Sequence, residues 1–175
     1  MAMKFFLTYG THQYLKTIYE KHRDKHRIFL LDGDASSILI VEKKGRSLFQ
    51  SGKKYAIDYS EGSFEHATFA VMNNIPVPRE EKDAFRFEAK KRADLLKKQA
   101  GCLAVRVLSP TKKNDSFILL SMWDSSCDYR RFRDSPAYKP LSAASSNPQQ
   151  LFTGKAYEKT YAVYREELDE ESQKR

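Results

Sequence analysis

Short apolar runs separated by turn residues alternate along the chain with stretches of three-to-four spacing, the pattern of strands interleaved with surface helices. Residues 3–7 form the first apolar run, and Gly10 supplies the turn after it. Thr11 is placed to cap a helix over 12–21, where Tyr14, Leu15, Ile18 and Tyr19 fall on one side. Residues 27–31 read as a strand closed by Asp32-Gly33-Asp34, and 37–42 as its hairpin-type successor. Lys44-Gly45-Arg46 turns into a short strand at 47–50, and a weakly helical stretch follows over 54–59. Ser60-Glu61-Gly62-Ser63 is the best linker in the chain, dividing 1–65 from 66–166, with a charged tail over 167–175.

The second part opens on an apolar strand over 67–75, stopped by Pro76 and Pro78. Pro78 suits the first turn of a helix running to Lys98, with Glu80, Glu81 and Asp83 at its start, Lys97 and Lys98 at its end, and Gly101 beyond. Strands over 103–108 and 117–123 flank a polar turn at 110–115. Asp124 or Ser125 then caps a helix carrying Tyr129 and Phe132 that falters at Pro136; 142–150 is a polar loop and 157–164 a last strand. Strand–helix–strand–strand–helix–strand is the ferredoxin-like order, an antiparallel sheet with two helices on one face. The first part, strand–helix–strand–strand, looks like a shortened version of the same plan. The fold class expected is therefore α+β, with two such sheets packed face to face as an intrachain pseudo-dimer.

Composition narrows the setting. A chain of 175 residues, 41% hydrophobic and 31% charged, buries enough surface to fold without disulfides or a metal. No stretch approaches the roughly 18 apolar residues of a spanning helix, and 1–7 is too short and too soon polar for a signal peptide. Cys102 and Cys127 form no C-x-x-C pair. These features point to the cytoplasm and to no membrane partner. The net charge of +8 invites a polyanion, but the excess is spread over both parts and no nucleic-acid-binding signature accompanies it. Propionates or phosphates on a ligand remain compatible with it.

Catalytic constellations built on a phosphate loop, a nucleophile elbow or metal-ligand spacing are missing from the sequence. His12, His22 and His26 read as surface residues of a basic helix, where Lys21, Arg23, Lys25 and Arg27 would repel a metal cation. Asn73-Asn74 closes the strand before Pro76. Two readings stay open there: strand-end turn chemistry, or an amide offering a hydrogen bond into an apolar pocket. Trp123 and Phe132 read first as core aromatics.

Several stretches together resemble a known family. Met72-Asn73-Asn74-Ile75-Pro76-Val77, the helix with Phe85, Lys90, Arg92 and Ala93, then 104–110 and Met122-Trp123-Asp124 resemble the antibiotic-biosynthesis-monooxygenase (ABM) domain. The N-terminal 7–11 with Tyr14-Leu15-Lys16, and 38–42 with Leu48-Phe49-Gln50, are similar to heme-degrading monooxygenases of the HmoB type and to the TRAP proteins (target of RNAIII-activating protein). The resemblance runs from Lys4 to about Val163.

It implies a heme pocket between sheet and helices, with heme as both substrate and oxygen-activating centre, an electron donor or reductase as partner, and iron released. The family's asparagine falls on Asn74, its tryptophan position on Phe132 and its axial histidine position on Ser142. Serine is a poor iron ligand, and Pro140 breaks a helix that would present it. Tyr138, one turn earlier, is the substitute, since phenolate ligates heme iron. The departure at Ser142 implies an alternative: a non-enzymatic heme carrier or a TRAP-like regulator. His66 lies where TRAP-type proteins carry a histidine for which phosphorylation has been proposed. The family's free-standing domains pair their sheets between copies; here residues 1–65 can cover that face, so a monomer is expected.

Overall fold

A computed structural model of the chain describes residues 2–138 and 156–166. The N-terminal part contains β1 (Met3–Gly10), α1 (His12–His22), β2 (Ile28–Asp32), β3 (Ser37–Lys44) and β4 (Lys53–Gly62). The C-terminal part contains β5 (Phe69–Ile75), a 3-10 turn at Arg79–Glu81 leading into α2 (Lys82–Lys97), β6 (Cys102–Pro110), β7 (Phe117–Trp123), α3 (Ser126–Arg133) and β8 (Tyr157–Val163). Local chemistry sets the helix starts: the Thr11 hydroxyl accepts from the Tyr14 N–H, and the Ser125 hydroxyl from the Asp128 N–H. Gly101 ends the α2 connection at φ +85°, where a Cβ would lie 2.4 Å from Asp128.

The eight strands close into one barrel in the order β1-β3-β2-β8-β5-β7-β6-β4. Within the C-terminal part this reads β8-β5-β7-β6, which is fourth-first-third-second, the ferredoxin-like order. Within the N-terminal part it reads β4-β1-β3-β2, the same order again. The two sheets do oppose each other, but they are continuous at both edges. The second strand of each part pairs with the fourth of the other, as β2 with β8 and β4 with β6.

Two expectations are corrected by β4. Residues 54–59 are not helical, and 47–50 are not a strand; the strand begins at Lys53 and takes in the supposed linker as far as Gly62. The reason is non-local, because β4 pairs with both β1 and β6. A register shift between Ile57 and Tyr59 also hides its alternation. Tyr55 and Ile57 face the interior, whereas Tyr59 packs with the helix layer and donates to Asp94 on α2 at 2.8 Å.

Three apolar layers result. The barrel interior is filled from both parts by residues such as Phe5, Leu7, Ile38, Ile40, Met72, Leu108 and Leu120. Outside, α1 covers Phe6, Leu30 and Leu39, while α2 and α3 cover Val71, Val105, Leu119 and Trp123. One end of the interior holds a buried ion pair. Arg106 of β6 donates from Nε to Glu42 of β3 at 2.6 Å, and from its terminal nitrogens to the Glu61, Gly62 and Val105 carbonyls. Its guanidinium also lies 4.4 Å from the Phe64 ring centre. Among the described residues no helix is long and apolar enough to cross a membrane.

Tyrosines gather toward the opposite end. The Tyr161 hydroxyl is buried without a hydrogen-bond partner among the described residues, and burial pushes its pKa up to about 12 from 10.0, with Tyr9 and Tyr157 adding to the rise; Tyr55 is raised by the same main cause. A raised phenol pKa stabilises the fold fully below pH 10, and that contribution is lost as pH climbs from 10 to about 12. Near-ultraviolet titration of the ten tyrosines should therefore be biphasic, with the late phase accompanying unfolding. A single step near pH 10 would contradict this environment.

Candidate functional site

A cavity of about 170 Å³ lies between the outer face of the C-terminal sheet and its helices. Its floor comes from Asn73 and Ile75 of β5 and Leu119 and Ser121 of β7. Arg92 and Leu96 of α2 form one wall, Tyr129, Phe132 and Arg133 of α3 another, and Tyr138 with residues 156–158 the rim. Aromatic rings brace one another here: Phe132 stacks on Trp123 at 5.7 Å and 27°, and Tyr138 meets Phe132 edge-on at 5.6 Å. Such contacts fix the wall more tightly than burial alone would.

Polar groups enter from three sides. The Tyr129 hydroxyl donates to Glu158 at 2.7 Å; burial first, and that carboxylate second, raise its pKa, so it stays a phenol. Arg133 lies 3.9 Å from the same carboxylate. Arg92 has no ion-pair partner among the described residues; burial lowers its pKa, while the Tyr138 phenol acts in the opposite sense. The cavity thus joins aromatic walls, two guanidiniums, the Asn73 amide, three tyrosines and the Glu158 carboxylate.

The site residues expected from the sequence divide between two faces of one strand. Phe132 and Tyr138 line the cavity, but Asn74 does not; its neighbour Asn73 does. Strand alternation is the cause. Val71 and Ile75 belong to the helix-side core, so Asn73 points there, while Asn74 shares the parity of Ala70 and Met72 and is 5% exposed on the interior side. Both faces of β5 are buried, so its apolar pattern could not tell which face carries the pocket. Ser142 and Pro140 lie outside the described residues. Arg133, Tyr129 and Glu158 went unnoticed in the sequence, because they converge only once α3 and β8 are in place.

None of the four histidines lines the cavity. His66 sits exposed in the turn between β4 and β5. His12 Nδ1 lies 2.7 Å from Asp32, which also accepts from Ser37. His22 has a lowered pKa, from burial first and then from Lys21, His26 and Lys25. Among the described residues no cluster of three or more potential metal ligands occurs.

Residues 68–143 match the antibiotic biosynthesis monooxygenase family. A heme-degrading monooxygenase of Listeria monocytogenes is 28% identical over 139 residues, covering 79% of this chain and 82% of that protein. A monooxygenase-like protein from Listeria innocua superposes with a TM-score of 0.74 at 26% identity, over 94% of each chain. A major regulator of staphylococcal pathogenesis superposes at 0.78 with 19% identity, covering 93% of this chain and 99% of that one, a likeness of fold. The barrel of two ferredoxin-like halves is therefore shared with both of these solved structures, and the match to the antibiotic biosynthesis monooxygenase family falls on the half that runs from β5 through α3.

Proposed function

We propose that the chain is a heme-binding monooxygenase of the HmoB type that cleaves heme oxidatively and releases iron. The observation that carries this reading is the cavity itself, with aromatic walls at Phe132 and Tyr138 and two guanidiniums, Arg92 and Arg133, of the kind that pair with propionates. The donor set fits heme. The space of about 170 Å³ is smaller than the roughly 300–1,000 Å³ of ordinary ligand pockets, so admitting a porphyrin requires the Tyr138 rim to open. Heme, when bound, supplies the oxygen-activating iron. The lining residues of this chain would hold and orient it: Arg92 and Arg133 would pair with its carboxylates, Phe132 would supply an aromatic wall, Tyr138 a phenol oxygen able to ligate iron, and Asn73 an amide N–H donor. An external electron donor or reductase completes the reaction.

One observation favours a second reading, a carrier or TRAP-like regulator without turnover: no described residue lining the cavity is a histidine. Hemin titration followed by reductant under air separates the two. The enzyme reading expects tight 1:1 binding and then loss of the Soret band with iron release; stable reduced heme would favour the carrier. Tyr138→Phe should change the ferric spectrum if the phenol is the ligand. Asn73→Ala should weaken hemin binding by the worth of one hydrogen bond, about 0.5–1.5 kcal/mol, while Asn74→Ala leaves it unchanged. Equal effects at both positions would refute this assignment of faces. We also propose a monomer, because both barrel seams close within one chain. A sedimentation mass of twice the chain, stable on dilution, would refute that.

A further inference from the structure

The repeat of strand order sets residues 45–52 of the N-terminal part where α3 stands in the C-terminal part: each connects the third strand of its half to the fourth. The loop is too short to replace the helix. What remains is a groove of about 1000 Å³ between this loop, the outer face of β1 and the start of β4, with the β6–β7 turn at its rim.

Two rings, Phe6 and Phe49, give it an apolar floor, and Lys4, Arg46, Lys53, Lys54 and Lys112 line it together with no acidic residue. Lys53 is already engaged, 3.5 Å from Asp115 and 6.0 Å from the Tyr9 ring. The other four cations have no ion-pair partner among the described residues. They come from four separate segments, so their convergence belongs to the fold and not to one charged run. A solvated basic helix face disperses its charges outward; here they surround a concavity.

The wall is also a built one. Gly52 holds φ +147°, and a Cβ there would sit 2.5 Å from the Leu7 carbonyl, so the loop is pressed directly onto β1. Lys43 Nζ donates to the carbonyls of Lys44 and Arg46, and the Phe49 N–H donates to the Ser47 hydroxyl at 3.0 Å. These contacts fix the entry and exit of the loop that carries Arg46 and Phe49.

We propose that this groove binds a nucleoside polyphosphate. Four cations match the charge of a triphosphate, and compact ammonium groups suit the separate phosphate oxygens better than a single planar carboxylate would. A flat base can lie against the half-buried Phe49 ring, backed by the buried Phe6 cluster, which bare phosphate would leave uncovered. The site lies on the other half of the barrel from the Phe132 cavity and does not depend on what that cavity binds.

The test uses the full chain at fixed ionic strength, with a fluorescent ATP analogue displaced by ATP, by inorganic pyrophosphate and by a single-stranded RNA oligonucleotide. ATP should displace it more tightly than pyrophosphate does. Lys4→Gln combined with Lys54→Gln should weaken ATP by at least about tenfold, with the circular dichroism spectrum and hemin titration unchanged. Lys90→Gln combined with Lys91→Gln, on α2, should leave ATP binding as in the parent. Three results would each overturn the proposal: no displacement by millimolar ATP, equal losses in the two double variants, or RNA binding more tightly than ATP, which would make the groove a nucleic-acid surface.

Discussion

Replacing Arg106 by alanine should lower the free energy of unfolding by about 3–5 kcal/mol, a large share of the 5–15 kcal/mol typical of a domain. The side chain is 6% exposed and its partner Glu42 16%, so little water reaches either charge. Arg106→Ala leaves the Glu42 carboxylate buried alone and also removes donors from the Glu61 and Gly62 carbonyls of β4. The cost comes mainly from the groups left unpaired. Removing both charges, as Arg106→Met with Glu42→Leu, should accordingly recover most of the loss. Urea unfolding of the parent, the single variants and the double variant measures this directly. A loss below about 1 kcal/mol in Arg106→Ala would show that water reaches Glu42 and that the pair is not truly buried.

Trp123→Ala should be comparably severe, at about 3–5 kcal/mol. The indole is fully buried, donates from Nε1 to the Ser121 hydroxyl at 2.9 Å, and supports Phe132 by stacking and Tyr129 edge-on. Its loss therefore removes the backing of the cavity wall as well as core volume. Hemin affinity should fall together with stability, whereas Trp123→Phe, which keeps a ring there, should restore most of both. Retained hemin affinity in a destabilised Trp123→Ala would separate wall from core and count against the cavity as the heme site. A change in melting temperature of only a degree or two would show that the neighbours collapse into the gap.

How much of this was legible in the sequence varied with whether the signal was local. The strand Phe117–Trp123 and the capping of α1 by Thr11 lie close in sequence to the residues that cause them, and they were read correctly. The ferredoxin-like order followed from the succession of elements, and the family resemblance carried it further. β4 was lost because its partners are a strand some fifty residues before it and another some fifty after, and because a bulge breaks its alternation. The asparagine pair shows a subtler limit. Two adjacent amides on a strand buried on both sides are indistinguishable until the helices pick one face, and they pick that of Asn73. Phe132 and Tyr138, which the family resemblance singles out, lie within and just past α3, and both line the cavity.

The barrel's two seams are unequal. β4 and β6 are zipped over seven residue pairs, whereas β2 and β8 share only two, Leu31 with Val163 and Asp32 with Ala162. A closed ring with one short clasp parts there first, since fewer hydrogen bonds must break together. Amide protons along β2 and the end of β8 should therefore exchange with solvent well before those of β6, through openings that leave the rest of the ring intact. The clasp and the cavity rim share β8: its last residues form the clasp, and its first, Tyr157 and Glu158, line the cavity. Slow transient release of that strand would let the rim breathe without unfolding the chain, and the rate of exchange at Tyr164, whose N–H donates to the Leu30 carbonyl across the clasp, would then set an upper limit on how often the cavity can admit anything as large as a porphyrin through that route.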